Sequence, residues 1–108
     1  MKEVVRYAGE MLWEPLRDFP GKGEMTVLRD EGKSGAKTII VRLPPGGQIL
    51  PHGHVGPVQH YVLKGEFETE GRVLGQGAYR FMPEHAEVSP IFTKEGVTIL
   101  MIYDAAFK

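Results

Sequence analysis

Glycine and proline interrupt this chain too often for it to hold a long helix. Between successive breakers the uninterrupted runs are 24–31, 36–43, 58–64, 66–70, 78–82 and 84–89, and the C-terminal run, 97–108, is the longest of the set. Helices average about 11–12 residues and strands about 5–6, so most of these runs have the length of strands. Their contents agree: segments 26–28, 38–43, 61–63 and 97–103 are rich in β-branched and aromatic residues, which fit a pleated, half-buried surface. Turn signals recur between them, at 32–35, Pro44-Pro45-Gly46-Gly47, Gly56-Pro57, Gly71, 75–77 and Gly96. Many short strands joined by tight turns predict an all-β fold, an antiparallel sandwich or barrel. Any helix is expected to be short and near the N-terminus, around residues 8–13. The 108 residues are expected to form one domain.

Composition removes several classes of function. The chain carries 13 Lys+Arg against 14 Asp+Glu, a net charge of -1. That balance gives no long-range field to hold a nucleic acid or an anionic membrane, and neither partner is expected. There is no cysteine, which excludes a disulfide framework, cysteine-ligated zinc or iron–sulfur sites, and a thiol nucleophile. The opening residues contain no apolar run of signal-peptide type, and no stretch approaches the roughly 18 apolar residues of a membrane span, so a soluble cytoplasmic protein is expected. Ser34 and Ser89, the two serines, lie outside any Gly-x-Ser-x-Gly elbow. Gly75-Gln76-Gly77 is followed by neither Lys nor a helix and reads as a turn, not a phosphate loop.

The four histidines lie at 52, 54, 60 and 85, with none in the first 51 residues. On a strand His52 and His54 project from one face, and neighbouring imidazoles of that kind can share an ion such as zinc, iron, nickel or copper. A His-x-His alone is equally a pair of histidines on a solvated face.

The frame around the pair is more specific. It reads Gly46, five residues, His52, one residue, His54, three residues, Val58, six residues, Gly65. This spacing resembles the first signature of the cupin family, G-x5-H-x-H-x3/4-E-x6-G. A degenerate second signature (G-x5-P-x-G-x2-H-x3-N in the family) runs from Gly77 through Pro83 toward residue 92. Together the signatures occupy about 46–65 and 77–92. The resemblance implies a double-stranded β-helix, a jelly-roll-like barrel, with His52 and His54 directed into an internal pocket. The segment 56–65, Gly-Pro-Val-Gln-His-Tyr-Val-Leu-Lys-Gly, is similar to cupins of the acetylacetone-cleaving dioxygenase type and to the cupin module of zinc-dependent anti-sigma factors. In the dioxygenase type three histidines hold the iron without a glutamate.

The departures fall on the chemistry. The family's carboxylate position is Val58 and its last histidine position is Val88. A third ligand would have to come from His60, which period-two alternation turns to the same inner face as Val58; from His85, in the turn before position 88; or from Gln59, if the preceding loop is one residue longer. The structural alternatives are a core histidine at 60 and an ordinary turn residue at 85. The resemblance implies a divalent transition metal (Fe, Zn, Mn, Ni or Cu) held by His52, His54 and one of these groups. The activity it implies is that of a mononuclear non-haem oxygenase, or a related lyase or isomerase, acting on a small organic molecule. The alternative is a non-catalytic cupin module that senses or stores a small ligand or zinc.

Three further expectations follow from alternation and composition. Tyr61 and Leu63 fall on the nominally outer face of strand 58–64, so that face is expected to be covered, either by Met11, Leu12 and Trp13 or by a second subunit in a homodimer. Phe67, Tyr79, Phe81, Met82, Met101 and Tyr103 are expected in the core or the pocket wall. Arg42, Arg72 and Arg80 would each bind an acidic ligand if turned inward, and would otherwise lie on the surface.

Overall fold

The computed structural model describes residues 3–16, 22–50, 52–53, 56–85 and 87–104. Twelve strands are present among them: β1 (Glu14–Pro15), β2 (Glu24–Asp30), β3 (Lys37–Leu43), β4 (Gln48–Ile49), β5 (His52–Gly53), β6 (Val58–Gly65), β7 (Phe67–Thr69), β8 (Arg72–Leu74), β9 (Tyr79–Met82), β10 (Glu87–Val88), β11 (Ile91–Phe92) and β12 (Val97–Tyr103). The runs 24–31, 36–43, 58–64, 66–70 and 78–82 become strands with small changes at their ends, whereas 84–89 forms a strand only at Glu87–Val88 and 97–108 at Val97–Tyr103. The helical content near the N-terminus is a single 3-10 turn, Ala8–Glu10, shorter than the 8–13 expected. The all-β expectation holds.

Antiparallel pairing builds a six-stranded sheet in the order β1-β2-β3-β12-β6-β9, a four-stranded sheet β4-β11-β7-β8, and a two-stranded β10-β5. Burial alternates along the long strands as a one-sided sheet requires. Ile39, Val41 and Leu43 are buried on β3, Val97, Ile99 and Met101 on β12, and Val58, His60 and Val62 on β6. The register aligns these positions across the sheet. Met25 pairs with Val41, Val41 with Ile99, and Ile99 with Val62. From the second sheet Ile49, Ile91 and Phe67 complete the same buried cluster.

Turn chemistry fixes the connections. In Pro44-Pro45-Gly46-Gly47 the Gly47 N–H donates to the Pro44 carbonyl at 2.8 Å and Gly46 has φ +79°, the geometry of a type II turn, with proline at its second position and glycine at its third. Gly65 ends β6 at φ +79°, and a Cβ there would collide with the carbonyl of Gly96 and lie 3.1 Å from Cα of Val97. Only glycine lets β6 close against the start of β12 at that point.

The N-terminal segment lies on the outer side of β2 and β3. β1 pairs with β2, Arg6 Nε donates to the Leu28 carbonyl at 2.9 Å, and the Arg42 guanidinium stacks 3.7 Å from the Trp13 ring centre. It does not reach the outer face of β6, where Tyr61 and Leu63 are exposed, and Leu12 is itself exposed. Tyr79 and Phe81 on β9 are exposed as well, which corrects the expectation that they belong to the core. The reason is register: β9 pairs with β6 so that Tyr61 faces Tyr79, Gln59 faces Phe81 and His60 faces Arg80. Once β6 turns Val58, His60 and Val62 inward, Arg80 must go in and its aromatic neighbours out. Phe67 and Met101 are core residues as expected. Among the described residues no helix is long and apolar enough to cross a membrane.

Candidate functional site

The residues of the two signatures converge through strand pairing. β5 and β10 pair antiparallel with His52 opposite Val88 and Gly53 opposite Glu87. The position at which the family carries its last histidine is therefore brought beside the first histidine of the pair, and in this chain it is valine. Val58, the carboxylate position, is fully buried at the start of β6. His54 lies outside the described residues.

His60 is buried on the inner face of β6. Its Nδ1 accepts a hydrogen bond from Arg80 Nε at 3.2 Å. The guanidinium does not give up its protons, so Nδ1 is the acceptor nitrogen and the neutral ring carries its hydrogen on Nε2. A nitrogen that carries a hydrogen offers no lone pair to a metal. His85 is exposed, in the turn between β9 and β10, with φ +62°. Gln59 lies on the outer face of β6, where its Oε1 accepts from the Tyr79 hydroxyl at 2.8 Å, away from the interior. Among the described residues no three His, Asp or Glu side chains gather as a metal would need. The described residues therefore fit the family's metal only in part. Two of its positions bear valine, and His60 is engaged through Nδ1.

Arg80 is the inward arginine of the three considered. Arg42 is held on the outer surface by Glu24, 2.8 Å away, and by Trp13. Arg72 is exposed. The Arg80 guanidinium instead lies 5.2 Å from the centre of the Phe67 ring, within cation–π range, and its Nη2 is buried with no hydrogen-bond partner. Burial pushes its pKa below the ordinary arginine value. The nearby Glu70 carboxylate works in the opposite direction, and Arg72 adds to the lowering. Thr69, two residues beyond Phe67 on the inner face of β7, is also buried, and its Oγ1 has no partner. Sequence reading passed over Thr69, although its spacing from Phe67 placed both on one face of a strand.

The sequence pattern of the ChrR cupin-like domain matches residues 1–106. The chain belongs to the ChrR cupin-like family. Solved structures agree on the fold. An acetylacetone dioxygenase from Acinetobacter johnsonii superposes with a TM-score of 0.77 at 20% identity, over 96% of this chain and 74% of that one. An RmlC-like cupin from Shewanella frigidimarina NCIMB 400 gives 0.78 at 20%, over 99% and 95%. The anti-sigma factor ChrR of Rhodobacter sphaeroides, in complex with SigE, gives 0.71 at 22%, over 92% of this chain and 51% of that one, so this cupin spans about half of ChrR. No curated protein matches the sequence. At such identities the likeness establishes the cupin double-stranded β-helix and nothing about activity.

Proposed function

We propose that this cupin is a small-molecule-binding module whose ligand enters the space between the sheets and meets the His60–Arg80 pair. The observation that carries this reading is a polar pair on the inner face, bonded to each other at 3.2 Å, among Val58, Val62, Phe67 and Met101, all buried. Buried polar groups cost free energy unless matched, and this pair keeps a charged, unmatched donor inside the fold. In this reading His52 and His54 supply the donors for a divalent transition metal, and two protein ligands would leave most of its positions to solvent or ligand. A homodimer is part of the proposal, with the exposed Tyr61, Tyr79 and Phe81 as its surface.

A second reading, a mononuclear metal-dependent oxygenase, draws on His52 and His54 at the family spacing and on the dioxygenase of similar fold. It requires His60 or His85 as a third ligand, and so requires the His60–Arg80 bond to break or the His85 turn to rearrange. Oxygen uptake separates the two. Protein loaded with Fe(II) and offered 1,3-diketones is expected to consume no oxygen above background, and to retain less metal after His52→Ala. Diketone-dependent uptake would overturn the binding-module reading. Metal content unchanged by His52→Ala would remove His52 from the donor set.

A further inference from the structure

Arg80 is half-buried on the inner face of the six-stranded sheet, opposite His60, with the Glu70 carboxylate acting on it from nearby. Lys37, the other half-buried cation on that face, lies over the Tyr103 ring. Arg42 pairs with Glu24, and Arg29 with Glu31. Arg80 spends Nε on a neutral imidazole nitrogen and rests against a ring face, while Nη2 meets nothing. A buried charged donor left unmatched is costly, and the planar fork of a guanidinium is the shape that recognises a carboxylate. The other buried polar atom without a partner among the described residues is Thr69 Oγ1, on the same face of β7 as Phe67, whose ring Arg80 overlies. A hydroxyl donor complements a carboxylate's second oxygen. The surrounding side chains, Val58, Val62, Phe67 and Met101, are apolar, and would receive a hydrocarbon body.

We propose that Arg80 anchors the carboxylate of a small apolar monocarboxylic acid inside the barrel, with Thr69 as a second donor and His60 as the residue that orients the guanidinium. This rests on the reading of the interior as the ligand site, and narrows it to ligands of one charge with an apolar body. His60 contributes by fixing Nε, so that Nη2 is presented in one direction instead of several.

Benzoate and its neutral isostere benzamide are the probes, titrated into the full chain with calorimetry and with the NMR signal of the Arg80 Nε–H as readouts. Benzoate is expected to shift that signal and to bind at least roughly tenfold more tightly than benzamide. Arg80→Gln removes the preference, and Thr69→Val weakens benzoate binding by roughly threefold. His52→Ala lowers metal content and leaves the preference intact, so a failure of the metal donors and a failure of the carboxylate anchor read out separately. Equal affinities for the two probes, binding of neither, or a preference that survives Arg80→Gln would overturn the proposal. Should Arg80→Gln fail to fold, Arg80→Lys is the substitute, because it keeps the charge and loses the fork; an undiminished preference there, with an unmoved Nε–H signal in the wild type, is equally fatal.

Discussion

Strands β6 and β9 present opposite chemistries on their two faces, and the usual assignment is inverted. The inner face carries His60, 3% exposed, and Arg80. The outer face carries Tyr79 and Phe81, 56% and 53% exposed, beside Tyr61. A sheet that only needed a stable core would put the aromatics in and the arginine out. Here the fold accepts a half-buried guanidinium and leaves large rings in water. The inner inversion is compensated in part by a hydrogen bond and a ring contact, and Arg80 Nη2 is left without a hydrogen-bond partner, the observation on which the ligand proposal rests. On the outer side the Tyr79 hydroxyl is bonded to Gln59, while the rings of Tyr79 and Phe81 stay more than half exposed, the feature on which the proposal of a second surface rests. In the proposed function one pair of strands serves two binding roles, kept apart by the period of two along a strand.

The device that holds both faces in phase is the pairing of β6, and breaking it has the largest expected effect. Gly65→Ala places a Cβ against Gly96 and Val97 at φ +79°, where β6 meets the start of β12. A loss of roughly 3 kcal/mol is expected from clash and backbone strain together, read as a lowered midpoint in urea with the slope unchanged. A shift of only a few tenths of a kcal/mol would mean that the turn relaxes freely and does not set the register. Next in size is the inner face. His60→Leu removes the acceptor for Arg80 Nε and is expected to cost on the order of 2 kcal/mol. Adding Arg80→Met should recover most of that loss, because two apolar groups replace two matched polar ones. A double variant no more stable than His60→Leu would show that the pair is not coupled, and would weaken the distinction between the two faces.

The extent to which this was legible in the sequence differs for backbone and site. Strand positions follow from where glycine and proline fall, because turns such as Pro44–Gly47 are local and need no knowledge of distant residues. The family was legible from the spacing of Gly46, His52, His54 and Gly65, and the inward direction of His60 from its distance to Val58. Arg80 was not, for a physical reason. Along Tyr79-Arg80-Phe81-Met82 hydrophobicity alone turns the aromatics inward, and a strand of four residues is too short to set its own phase. The phase is imposed across the sheet by His60 opposite Arg80, a contact between residues far apart in sequence. His85 illustrates the converse. Its position in the second signature made it a candidate ligand, but its left-handed backbone and exposure belong to the turn that aligns Val88 with His52. In a chain with valine at 58 and 88, motif spacing reports ancestry more faithfully than it reports chemistry.

The smallest effect on folding is expected at the outer face, and it tests the second half of the comparison. β9 ends the six-stranded sheet, paired on one side with β6, so its free edge and exposed rings form one surface. Unprotected edge strands of this kind invite pairing with another chain, and contiguous apolar patches mark interaction sites. Phe81→Glu adds charge to that surface without touching the interior, since Phe81 faces Gln59 across the pair. Monomer stability should change by less than about 0.5 kcal/mol, as at other surface positions, while sedimentation equilibrium should show a wild-type dimer and a monomeric variant. The benzoate preference should survive, because the two faces share strands and not side chains. If Phe81→Glu abolished carboxylate binding as well as association, the faces would be coupled through the sheet, and the separation of roles along β6 and β9 would be lost.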